Sequence, residues 1–337
     1  MKLTKLAAVL GLGLVSAAAQ AGFIQAWNFQ DDSIDFILRA NGTGGFDLVT
    51  SGAVQKGDIF VGIFEMQTAS ATPPGVSLIP PGKELTGVSV IQLATDNPTT
   101  NPFWTFQPYS GGMNAILALI GAGAPTVVGG NPGGGAVAAM WLNTGGATYN
   151  SGDTNPAVTD RDLVLDAAHP TWGDTTNCTS FVDCLKEASL GDLFQVDGLW
   201  GTDTSDRNDP DNRWIAIANL IDFPGGVDYD TVKSGAKSTQ FASFSARLSN
   251  LFNVVEPVLF QNAISGVHCP GATHANADNC VQVRVTGQIL GGDGLNNGAV
   301  GRDDIDARKL VQVPEPATLG LLGLGLLGLG LLRRRQA

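Results

Sequence analysis

Alternation of apolar and polar positions is the commonest signal along this chain. Val281, Val283 and Val285 alternate with Gln282, Arg284 and Thr286, and Ala242, Phe244, Ala246 and Leu248 alternate with Ser243, Ser245 and Arg247. A period of two sends successive side chains to opposite faces, so both segments predict half-buried strands. Trp214–Ala218 is a short apolar run suited to a sheet core, and 59–64 and 88–91 add two further strands in the N-terminal half. Helical spacing is scarce, and Met113–Ile120 and Thr179–Ser189 are its best instances. In the second, Ser180 and Asp183 resemble a capping box, and Phe181, Leu185 and Ala188 share a face.

The expected fold is mainly β: a β-sandwich or jelly-roll-like secreted domain with one or two short helices and a long Gly-rich loop. That loop or linker is placed at 121–153, where Gly, Ala, Asn and Pro dominate. The body is expected over 22–301, followed by a charged spacer at 302–313. No period of 20 to 50 residues suggests a solenoid or propeller.

Both ends of the chain break this pattern. Lys2 and Lys5 precede a short apolar run, and Ala19-Gln20-Ala21 offers a small-x-small site for signal peptidase, which puts the mature start at Gly22. Residues 1–21 therefore read as a signal peptide. At the other end, Pro314-Glu315-Pro316 is followed by an uncharged Gly/Leu stretch, Ala317–Leu332, and by Arg333, Arg334 and Arg335. Its 16 residues span about 24 Å as a helix, a marginal crossing of a ~30 Å hydrocarbon core. The arginines would stay on the cytoplasmic side and hold the body outside.

That ordered combination over 314–337 resembles the PEP-CTERM sorting signal of Gram-negative bacteria, a tail also catalogued as the ice-binding protein C-terminal domain. The resemblance covers the tail alone. It implies a precursor held in the inner membrane by a tail helix and processed near Pro314-Glu315-Pro316 by an exosortase, a membrane transpeptidase. It also implies a final place on the outer surface or in an extracellular matrix of exopolysaccharide, as in biofilms and flocs. The glycine pattern at 323–328 has no preceding strand and no acidic residue after it, so a dinucleotide site is rejected. Ice binding would need a flat array of regularly spaced Thr, which is lacking.

Charge and cysteines sharpen the reading. Setting aside Lys2, Lys5, Arg333–Arg335 and Glu315 leaves 14 basic and 30 acidic residues, a net of −16. Such a body repels nucleic acid and anionic lipid and attracts divalent cations. Four cysteines in an exported chain read as disulfides, with the local pairs Cys178–Cys184 and Cys269–Cys280 favoured over the other pairings. Within one helix Cys178 and Cys184 would rise about 9 Å apart, so Cys178 has to precede the helix for the bond to close.

Catalytic signatures are missing. There is no Gly-x-Ser-x-Gly elbow, His-Glu-x-x-His or phosphate-binding loop, and only three histidines, His169, His268 and His274. His268, Cys269, His274 and Cys280 fit no common zinc spacing. Asp203, Asp206, Asp209 and Asp211, with Asn208 and Asn212, form an acidic cluster between Trp200 and Trp214, which as hard oxygen ligands would suit Ca²⁺. A solvated turn explains the same residues. The reading is a non-enzymatic surface or matrix protein without a resident cofactor. Its partners would be signal peptidase, exosortase and the exopolysaccharide or cell envelope. A Ca²⁺-dependent glycan-binding module and a secreted hydrolase using two carboxylates stand as alternatives.

Overall fold

The computed structural model describes residues 23–72, 84–95, 103–143, 178, 180–199, 216–220, 228–236, 238–253, 283–295 and 297–313. The chain divides into a large compact unit, Ala26–Lys309, and a small one built from Met1–Gln25 and Leu310–Ala337. Of the small unit only residues 23–25 and 310–313 are described, as the outer ends of two strands.

The protein is mainly β. Among the described residues eleven strands join one sheet: β1 (Phe23–Ala40), β2 (Phe46–Leu48), β3 (Ile59–Thr72), β4 (Glu84–Leu93), β5 (Phe103–Pro108), β6 (Ala136–Asn143), β7 (Asp192–Gly198), β8 (Ala216–Leu220), β9 (Gln240–Asn253), β10 (Val283–Leu290) and β11 (Gly301–Val313). The order is β10-β11-β1-β3-β4-β5-β8-β9-β7-β6, with β2 off this path against β1. The two ends of the path, β10 and β6, do not pair with each other among the described residues. Instead β9 also pairs β10, and β4 also pairs β6, all antiparallel, so the sheet branches and curls on itself. In β3 the residues 59–64 are largely buried on both sides of the strand, which explains why this stretch runs apolar rather than alternating.

One face is packed solid. Ile34, Phe36 and Leu38 of β1, Ile59, Val61 and Ile63 of β3, and Val88 and Val90 of β4 belong to a single core. The short helices α1 (Met113–Leu117) and α2 (Phe181–Ala188) close it with Met113, Ile116 and Leu117 and with Phe181, Cys184, Leu185 and Ala188. The spacing of the α2 residues is one helical stripe, and Phe181 tilts against Phe36 with ring centroids 5.2 Å apart. Ser180 caps α2 by accepting the Asp183 amide at 3.4 Å. At the other end, the Thr86 hydroxyl donates to the Ala188 carbonyl at 2.9 Å, relieving one of the carbonyls left open there.

The disulfide Cys178–Cys184 is formed, with Cα atoms 4.7 Å apart and Cys178 ahead of the helix. The Asn297 amide donates towards Cys184 Sγ at 3.6 Å and Cys178 Sγ at 3.8 Å. A third short helix, α3 (Tyr229–Ser234), is capped by Asp228, which accepts the Thr231 amide at 2.7 Å.

Two segments differ from the sequence expectation. Within 121–153 the irregular run ends at residue 135, and Ala136–Asn143 is strand β6 between β4 and β7. Asn114 anchors the irregular part: its Oδ1 accepts the Val127 amide at 2.9 Å, and its Nδ2 donates to the Val127 carbonyl at 3.3 Å. Gly112 has φ +79°, and a Cβ there would sit 2.3 Å from the Gly130 carbonyl oxygen, so only glycine permits this approach. The stretch 302–313, read as a charged spacer, belongs to strand β11, whose residues Arg302–Lys309 pair with β10. Its charges at Asp304, Asp306 and Arg308 lie on the exposed side, while Asp303, Ile305 and Ala307 point to the interior.

Candidate functional site

The second face of the sheet is hollow. A cavity of about 130 Å³ lies against it, reached by residues of β1, β3, β4, β5, β6, β7, β9, β10 and β11. Its wall is largely apolar, with Phe60, Phe64, Phe106, Phe244, Met66 and Met140 the largest contributors. Glycines make the room. Gly87 faces Phe64 across the β3–β4 pair, and a Cβ there would meet the ring at 2.3 Å. Gly287 faces Phe244 in the same way, at 2.7 Å. Both rings therefore lie over bare backbone instead of standing into the hollow.

A polar row crosses this apolar wall. Register pairs link Asp35 of β1 to Gly62 of β3, Gly62 to Ser89 of β4, Ser89 to Ala138 of β6 and Ala138 to Asp197 of β7. Asp303 of β11 completes it by hydrogen bonding Asp35 through their side chains. The Ser89 hydroxyl accepts the Gly62 amide at 3.2 Å. A Cβ on Gly62 would lie 2.5 Å from Ser89 Oγ and 3.3 Å from Asp35 Oδ1, so the absent side chain is what lets these two groups approach.

Burial dominates the electrostatics. It pushes the Asp35 carboxyl up to about 6, against the opposing pull of its bond to Asp303. Two carboxyls in hydrogen-bond contact need a shared proton, or a cation in its place, to sit together in an apolar site. Asp197, also buried, accepts a hydrogen bond from Gln195 Nε2. Of the described residues lining the cavity, three are acidic and none is basic. The fully buried Arg302 donates to the carbonyls of Gly291 at 2.6 Å and Asp293 at 3.0 Å, and burial draws it down to about 10.

Asp58 has a different role. Its carboxylate accepts Arg39 Nε at 2.6 Å, Arg39 Nη2 at 2.8 Å, the Gln55 amide at 2.8 Å and the Tyr229 hydroxyl at 2.8 Å. The bond to Asp58 raises Arg39, and burial followed by the Asp58 charge raises Tyr229, keeping that phenol protonated. With its lone pairs occupied, Asp58 ties β1, the 53–58 turn and α3 together.

The residues singled out from sequence are distributed as follows. Cys178 and Cys184 are bonded. Ala19, Ala21, Gly22, Asp203, Asp206, Asp209, Asp211, Cys269, Cys280, Pro314, Glu315, Pro316 and Arg333–Arg335 lie outside the described residues. Among the described residues no group of three or more His, Cys, Asp or Glu is arranged to hold a metal ion. Sequence reasoning missed Asp35, Asp197 and Asp303. The available signal was a lone acid inside an apolar strand run, Ile34-Asp35-Phe36-Ile37 and Val196-Asp197-Gly198-Leu199.

Residues 312–335 match the PEP-CTERM protein-sorting motif. No curated protein and no solved structure matches the chain. Among the described residues no helix is long and apolar enough to cross a membrane. The motif marks an exported protein whose precursor is anchored in the membrane by its C-terminal segment and processed by exosortase, a membrane transpeptidase.

Proposed function

We propose that this protein is a non-enzymatic structural component of the cell surface or extracellular matrix, handed by exosortase to the exopolysaccharide layer of a biofilm or floc. The sorting motif at 312–335 carries the reading. The disulfide-stapled β body and its net charge of −16 suit a soluble extracellular part.

The test is a deletion strain of the producing bacterium, complemented with the full chain or with a chain ending at Val313. The full chain is expected to restore matrix cohesion and to fractionate with the polysaccharide. The shortened chain is expected to be exported but lost to the medium. Equal retention of both forms in the matrix would overturn the assignment.

A further inference from the structure

We propose that the cavity is a binding site for a small neutral apolar molecule, an aromatic or compact aliphatic body of about six to eight heavy atoms. This goes beyond the matrix role, because sorting by the tail requires no interior site. Size is the first argument. At about 130 Å³ the cavity is comparable with the ~150 Å³ engineered apolar cavity that stays dry and admits benzene. Interiors normally pack as densely as organic crystals, so a hollow of this volume calls for a cause.

Residue choice on several separate strands is that cause. Ala138 of β6, Ala246 of β9 and Ala307 of β11 all border the space, and a leucine at any of them would fill part of it. Phe64 and Phe244 lie on different strands, yet each is paired with a glycine, Gly87 or Gly287, whose missing Cβ makes room for the ring. One device is thus used twice, and the hollow does not come from a local fault in strand pairing.

The chemistry of the wall selects the ligand. Phe60 is held by Phe106 and Trp104, with ring centroids 5.1 Å and 6.0 Å away, which gives a preformed aromatic surface. Met66 and Met140 add flexible chains that can follow an occupant's outline. Polar groups at the wall are engaged within the protein. The Ser89 hydroxyl accepts the Gly62 amide, Asp197 accepts Gln195 Nε2, and Asp303 also interacts with other protein groups. Hydrocarbon therefore dominates what an occupant meets. An anionic ligand would face three acids with no basic residue among the described lining residues. A cationic one would give up its hydration against a largely apolar wall. Neutral apolar surface gains from entry without either cost.

The experiment uses the processed protein recovered from its own cells, exhaustively dialysed, at pH 7, with three probes of one shape: toluene, benzylammonium and benzoate. Calorimetry is expected to show toluene binding at least about tenfold more tightly than benzylammonium, with benzoate undetected. Ala138→Leu, which fills part of the hollow, should weaken toluene at least about tenfold. Met140→Ala, which enlarges it, should bind naphthalene at least about tenfold more tightly than the parent does, and decides the matter alone if the leucine variant does not fold. Benzylammonium bound as tightly as toluene would overturn the neutral assignment, and no binding of toluene would overturn the site. Toluene bound equally well by Ala138→Leu, or no gain for naphthalene in Met140→Ala, would put the binding elsewhere and overturn the proposal too.

Discussion

The two faces of strand β3 present opposite solutions to burial. Ile59, Val61 and Ile63 are fully buried and meet α1, α2 and neighbouring strands in a closed core. Phe60, Gly62 and Phe64 alternate with them and border a hollow that contains two carboxyls in contact. The same strand thus contributes stability on one side and accepts its cost on the other. A buried acid at the edge of an unfilled space destabilises a fold, so the hollow face points to function where the packed face points to stability.

The packed face should be the more fragile to deletion. Trp141→Ala removes a side chain 1% exposed in the core and is expected to cost about 3–5 kcal/mol in urea unfolding. A loss under about 1 kcal/mol would show that the packed face is no better filled than the other.

The hollow face should reveal itself through pH. Asp35 is raised to about 6 when folded and sits near 4 when unfolded, so the folded state binds its proton more tightly. Its contribution is therefore fully present below about pH 4 and is lost as pH rises to about 6, a swing of roughly 2–3 kcal/mol. Asp35→Asn should lack that swing, so subtracting its unfolding curve from that of the parent isolates the effect. Identical pH profiles would remove Asp35 from the hollow.

Ala138 and Ala139 sharpen the contrast, being adjacent in β6 but on opposite faces. Ala139→Leu overpacks a closed core and should cost about 2 kcal/mol, whereas Ala138→Leu enters open space and should change stability by less than about 0.5 kcal/mol. Ser180→Ala, at the margin of the packed face, removes the α2 cap and is expected to lower stability by about 1 kcal/mol, measured by thermal unfolding.

What was legible in the sequence followed the range of the determining interactions. Helix α2 was readable because its cap, its stripe of Phe181, Leu185 and Ala188, and its cysteine spacing all lie within a few residues. The strands around Ile59–Phe64 and Ala242–Leu248 showed in their local pattern. Strand β6 did not, because Ala136–Leu142 is an unbroken apolar run that follows a Gly-rich stretch and shows no alternation. Strand β11 read as hydrophilic because its inward row of Asp303, Ile305 and Ala307 begins with an acid, and the buried Arg302 lies on the other row. The Asp35–Asp303 pair depends on β1 meeting β11, a contact between distant parts of the chain that no local pattern announces. The sorting motif is the opposite extreme, a linear signal read without any fold.

The most direct test is the intact mass of the native protein recovered from outside its own cells. A mass that begins at Gly22 and ends near Pro314, with any excess attributable to attached glycan, is the predicted result. A mass that still includes Leu319–Arg335 would contradict exosortase processing and leave the protein a tail-anchored one.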